Sequence, residues 1–310
     1  MHRRQSSFIA LPAALAVALA ATTFTAPLRA AELVQGVRSK LSAADLSSAE
    51  AAVEAYRLAK GVDPEYLNAV GWLARGAETL GRRDKAAAWV AELRREIPAE
   101  VPETIVPLGA AIEVEGRLLL DAEGRGRSIR FLEGELSRAK DAALRSRIRK
   151  NLNVLTLEGE VAPELRGEET LSGPRVRLAD LGGRPALLFF WANWCGDCKA
   201  EAAKLGRLRE KYAPRSLVFV APTRLYGTVE TNKDASPADE KAHVQKVFAE
   251  SYPGLSGVSV PVDTETMVRY GASATPTYAL VDKMGRVRFY SPTRVSEAEL
   301  TRRIETLLSE

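Results

Sequence analysis

The sequence predicts two successive architectures: an all-α half, then an α/β half whose central sheet is flanked by helices. Three observations carry this reading. From residue 41 to 152, Ala, Leu, Glu, Arg and Lys dominate, with apolar residues at helical spacing. From residue 160, short apolar runs alternate with helix-like stretches, the pattern of a sheet covered on both faces. Both cysteines of the chain stand three positions apart, Cys195 and Cys198, directly after one of those runs. The expected segments are 1–30, 31–155 and 156–310.

The first segment reads as an export signal. Met1-His2-Arg3-Arg4 is a basic start, Gln5 to Leu28 is uncharged and rich in Ala and Leu, and Leu28-Arg29-Ala30-Ala31 is a small-residue exit. Its strongly apolar core, Phe8 to Ala21, is short against the ~20 residues of a bilayer span. Cleavage near Ala30 is therefore expected, with a retained N-terminal anchor as the alternative. Only such an anchor would put the chain on a membrane. Arg3, Arg4 and Arg29 supply three of the four net positive charges, and the rest carries both signs among 27% charged residues. That balance argues against nucleic acid as a partner.

In the helical half, Val53, Tyr56, Leu58 and Ala59 mark one amphipathic helix. Leu67, Val70, Leu73, Ala74, Ala77 and Leu80 mark a second. Asp63-Pro64 is its start signal, an N-cap acid before proline at the first helical position. Gly81 ends it, and Arg83-Asp84 opens another that stops before Pro98. Gly109 to Leu120 fits strand and helix equally. Arg127–Leu136 and Lys140–Leu155 are helices, the second basic through Arg145, Arg147, Arg149 and Lys150. Tyr66 to Trp89 looks like one tetratricopeptide-type helical hairpin, but no second copy stands at the required period. Trp72, Trp89 and the leucines are read as filling the core of that hairpin, and the basic helix as a solvated face.

In the second half, Val161 to Leu165 is an irregular entry and Arg175–Leu178 alternates like a short strand. Pro185 to Trp191 is a continuous apolar run, a central strand. Gly196 to Tyr212 follows as a helix and Ser216–Ala221 as a second buried strand. Tyr226 to Gly257 is a long excursion holding an amphipathic helix with Val244, Val247 and Phe248. Thr277–Val281 and Val287–Tyr290 are strands joined at Asp282-Lys283-Met284-Gly285, with glycine where positive φ is needed. Ser296 to Leu308 closes the chain as a helix.

A Cys-x-x-Cys at a strand end and helix start reads as a thiol–disulfide exchange centre. As a staple it would be poor: closing a four-residue ring removes only about 2 kcal/mol of unfolded-chain entropy. As a zinc site it lacks two ligands. The only histidines are His2, in the export segment, and His243, read as a surface residue. No metal and no cofactor beyond a redox-active Cys195–Cys198 disulfide is expected.

Three stretches, in order, carry a family resemblance: Val161-Ala162-Pro163 with Leu165; Phe190-Trp191-Ala192 with Trp194-Cys195, Cys198 and Lys199; and Ala274-Thr275-Pro276-Thr277. Residues 158–310 resemble the thioredoxin superfamily, most closely the exported TlpA/ResA-like thiol–disulfide oxidoreductases. The resemblance implies a thioredoxin-like sheet, Cys195 as attacking sulfur and Cys198 as resolving thiol. It implies a cis-proline at Pro276, which with Thr275 faces the pair and binds the substrate strand. Glu201 matches an acidic position near the resolving cysteine, a proton shuttle if burial raises its pKa. Asp197 should oppose thiolate formation and favour a reducing pair. Trp194 is expected at the partner surface and Trp191 in the core. Where the family carries a proline, this chain has Ala203, which predicts a straighter helix.

The expected activity is reduction of protein disulfides in the cell envelope, with electrons from a membrane thiol–disulfide donor. Two rivals stand beside it: a partner-binding scaffold whose helical half recruits clients to the fold, and a peroxide-reducing enzyme of the same superfamily.

Overall fold

The computed structural model describes residues 30–229 and 233–309. The segment read as an export signal lies outside them up to Arg29. No described helix is long and apolar enough to cross a membrane.

The helical half holds α1 (Ala30–Ser42), α2 (Leu46–Lys60), α3 (Pro64–Thr79), α4 (Arg83–Glu96), α5 (Ile105–Glu123), α6 (Arg125–Arg138) and α7 (Ala142–Thr156). Asp63 caps α3 by accepting the Tyr66 N–H at 2.8 Å, with Pro64 behind it. The segment that fitted both periods is helical: Ile105, Leu108, Ile112 and Val114 all bury into the core shared by these helices. It packs against α3, α4, α6 and α7. Trp72 and Trp89 are half-buried against that core.

The second half is built on a four-stranded sheet of order β2-β1-β5-β6, from β1 (Ala186–Phe190), β2 (Val218–Val220), β5 (Thr277–Val281) and β6 (Val287–Ser291). β2 runs parallel to β1, while β5 and β6 run antiparallel to their neighbours. A small hairpin, β3 (Thr228–Val229) with β4 (Lys233–Asp234), stands apart. Strand alternation divides the apolar residues between two cores. Leu187 and Phe189 face α9 (Ala202–Tyr212), α10 (Pro237–Ser251) and α12 (Glu297–Ser309) through Leu205, Phe248 and Leu300. Ala186, Leu188 and Phe190 face Met267 of α11 (Thr264–Arg269), with Leu157 and Tyr270. Gly285 supplies the positive φ, +76°, in the turn before β6.

Three expectations are corrected. Arg175–Leu178 is not a strand: the Glu164 carboxylate captures the Leu178 and Ala179 N–H groups at 2.7 and 3.2 Å, and a 3₁₀ turn follows at Leu178–Leu181. The helix after the cysteines is not straight. It is α8 (Gly196–Ala200), then a break at Glu201, whose N–H turns back to Cys198 O at 3.1 Å, then α9. Ala203 removes a proline but not the cause of the break, since the Glu201 side chain is tied inward, as described below. Finally, α7 is no solvated face. It packs on α11, and Asn153 Nδ2 donates to Arg269 O at 3.0 Å. Gly271, at φ +61°, sits so close that a Cβ there would lie 2.3 Å from Lys150 N. Only glycine permits the two halves to touch at that point.

Candidate functional site

The site forms where β1 ends. The apolar run of β1 delivers the chain through Trp191 into the turn Asn193-Trp194-Cys195, and α8 begins at Gly196. Trp191 is fully buried, its Nε1 donating to Ala221 O at 3.1 Å and its rings packed on Phe248 and Tyr252. Trp194 projects instead, 56% exposed, edge-on to Tyr226 at 5.4 Å.

Cys195 and Cys198 are joined as a disulfide. Cys195 occupies the N-cap of α8, and the Cys198 N–H points at its Sγ at 3.0 Å. An N–H aimed at that sulfur, with the positive end of a helix turn behind it, stabilises a thiolate there once the bond is reduced. The two sulfurs differ in access. Cys195 keeps 5% exposure and Cys198 none. The Thr275–Pro276 peptide bond is cis, and Thr275 O lies 3.4 Å from Cys195 Sγ. Thr275 is half-buried and Pro276 buried. The structure thus brings Cys195, Cys198, Trp194, Thr275 and Pro276 to one spot from β1, α8 and the start of β5.

Glu201 lies behind the pair, 3% exposed. Burial pushes its pKa up. Hydrogen bonds from Lys204 and Tyr278, the Lys204 charge and a hydrogen bond from Arg294 outweigh that, so its carboxyl sits below the ordinary range. Tyr278 OH donates at 2.7 Å, Arg294 Nε at 3.1 Å, and Lys204 Nζ also bonds it. With the pair joined as a disulfide, these donors favour the carboxylate form of Glu201. Arg294 reaches Asp197 as well, at 3.7 Å, which offsets part of the charge expected to oppose a Cys195 thiolate. Lys204, Tyr278 and Arg294 escaped the sequence reading. Lys204, at i+3 from Glu201, was the one with a local signal. His243 is half-buried on α10. Among the described residues no group of His, Cys, Asp and Glu has the makings of a metal site.

Residues 159–290 match the AhpC/TSA family. Thiol-disulfide oxidoreductase ResA of Bacillus cereus is 28% identical over 117 residues, 38% of this chain and 60% of the relative. Thioredoxin-like protein YneN of Bacillus subtilis is 26% identical over 149 residues, 48% of this chain and 79% of that one. This chain thus spans about 60% of the length of the ResA relatives it matches. Among solved structures, a secreted Mycobacterium tuberculosis disulfide oxidoreductase homologous to E. coli DsbE overlaps 44% of this chain and 92% of its own, at 24% identity and a TM-score of 0.35. The family match stops short of the helical half. The sheet order and the cysteine pair at the end of β1 give the C-terminal half a thioredoxin-like arrangement, and over residues 159–290 it is similar to the AhpC/TSA family.

Proposed function

We propose that the chain is an exported thiol–disulfide oxidoreductase that reduces protein disulfides through Cys195. The observation that carries the reading is the asymmetry of the pair: Cys195 caps the helix, keeps access to solvent and faces Thr275 O, while Cys198 is sealed behind it. The named activities of the ResA relatives support it. In the reduced protein, the Cys195 thiolate attacks one sulfur of a client disulfide. A mixed disulfide forms and the client's other sulfur leaves as a thiolate. Cys198 then gives up its proton and attacks Cys195 Sγ, which forms the Cys195–Cys198 bond and releases the second client thiolate. Two electrons pass to the client, and a dithiol donor outside this chain must return them. The backbone around the cis Thr275–Pro276 bond offers pairing groups to an extended client segment, with Trp194 as an apolar rim. Export rests on the basic, apolar and small-residue order of the first thirty residues.

The test is trapping. Cys198→Ser should accumulate a stable mixed disulfide with a protein disulfide substrate, and Cys195→Ser should trap none and exchange at least about 10³-fold more slowly. Trapping through Cys198 in Cys195→Ser would reverse the assignment. Faster turnover with hydrogen peroxide than with a protein disulfide would favour the peroxide-reducing rival.

A further inference from the structure

A groove of about 180 Å³ opens beside the cysteine pair, and its walls come from both halves of the molecule. Thr275, Trp194, Tyr226 and Arg224 line it from the thioredoxin-like half, and Ser146 and Arg147 from α7 of the helical half. Its floor reaches the residue whose carbonyl touches Cys195 Sγ. A client segment lying along the cis-proline backbone would therefore run against α7 as well as the redox domain.

The charge on that wall is unbalanced. Glu113 is the acid at the root of α7, and it is shared by Lys150 at 3.0 Å, Arg75 at 3.1 Å and Arg117 at 2.9 Å. Asp141 spends its carboxylate on the Ala143 and Leu144 N–H groups. Glu240 takes the Tyr226 and Gly227 N–H groups and so fixes the arm that carries Arg224. Among the described residues, neither Arg147 nor Arg224 has a carboxylate within ion-pair distance. Arg147 Nε is buried without a hydrogen-bond partner, and the Arg224 guanidinium stacks 4.4 Å above the Tyr226 ring. Gly109 makes room for this arrangement, since a Cβ there would fall 2.6 Å from Arg147 Cδ. Desolvation and the charges of Arg75 and Arg224 lower the pKa of Arg147 against the opposing pull of Glu113 and Asp141.

We infer that the helical half is the specificity wall of the redox site, with Arg147 and Arg224 binding an acidic side chain beside the client cysteine. The inference rests on the exchange reading above and names its substrate class: an extended polypeptide with Asp or Glu flanking the reactive cysteine. A guanidinium fork suits a carboxylate, and desolvation in a groove strengthens the charge-assisted hydrogen bonds it makes.

The test uses the reduced full chain and two peptides that differ only by Asp or Asn flanking one cysteine, each activated as its 2-thiopyridyl mixed disulfide. Release of pyridine-2-thione gives the rates. The wild type should prefer the acidic peptide by about tenfold at low salt, with the ratio shrinking as salt screens the pair. Arg147→Gln and Arg224→Gln should each pull the ratio toward one, and Arg147→Lys should retain part of it. Arg302→Gln, on distant α12, should leave it as in the wild type. Should Arg147→Gln fail to fold, as judged by circular dichroism, Arg224→Gln decides alone. A wild-type ratio of one, or a ratio that survives the Gln substitutions, overturns the inference. Uncharged 2,2′-dithiodipyridine separates the two levels: no reaction with it sinks the exchange reading, whereas reaction without acid preference sinks only this one.

Discussion

Glu113 in the helical half and Glu201 in the thioredoxin-like half are two solutions to one problem, a carboxylate taken out of water. Each is met by three donors, one three or four residues along the chain and two from distant parts of it, and in each the donors outweigh the burial that would protonate it. Glu113 is driven down to about 2 by Lys150, Arg75 and Arg117 despite its desolvation. Their surroundings differ. Glu113 joins α5 to α3 and α7 through Arg75 and Lys150. Glu201 breaks the helix behind a disulfide and shares Arg294 with Asp197, so its network bears on the charge felt by two sulfurs.

The largest expected effect breaks the structural side of this comparison. Glu113→Gln leaves the half-buried Lys150 and Arg75 without their anion and should cost about 3 kcal/mol, read from urea unfolding of the full chain. A loss below about 1 kcal/mol would mean that water reaches the cluster. The same group gives a pH signature. Its folded pKa is depressed, so its stabilisation is complete above the unfolded value of 4.5 and is lost as pH falls toward about 2. Glu201 acts in the same direction. Unfolding midpoints should fall through that window, and Glu113→Gln should flatten the fall.

A smaller effect tests the seam between the halves. Gly271→Ala must open the contact with Lys150 while holding alanine at φ +61°, which should cost about 1–3 kcal/mol. Amide exchange should quicken in α7 and α11 ahead of α3 and α4. Uniform quickening would show that the seam is not a separate weak point. The smallest effect concerns the pair itself: Asp197→Asn removes a charge that Arg294 only partly offsets, and should raise the reduction potential by on the order of 10 mV. A lowered potential would contradict the electrostatic account.

Much of the candidate site was legible because its signals are local. Cys195 and Cys198 are one helical turn apart after an apolar strand, Thr275-Pro276 precedes another, and the indoles at 191 and 194 fall on opposite sides of the strand end. Local pattern also misled, at Arg175–Leu178, where a distant carboxylate takes the backbone donors a strand would need. Glu201 was visible as a position but not as an ion, since Tyr278 and Arg294 stand 77 and 93 residues away in sequence. The groove was invisible for the same reason. Arg147 read as one more charge on a basic helix until α7 was seen packed beside the cis-proline loop.

The most direct test of the central claim is the reduction potential of the Cys195–Cys198 pair in the full chain, read by alkylation and mass spectrometry after equilibration in graded thiol buffers. A reductase predicts roughly −230 mV or lower, near the thioredoxin end of the range. A value near −120 mV, roughly that of the strongest oxidants, would make the protein a disulfide donor and contradict the account.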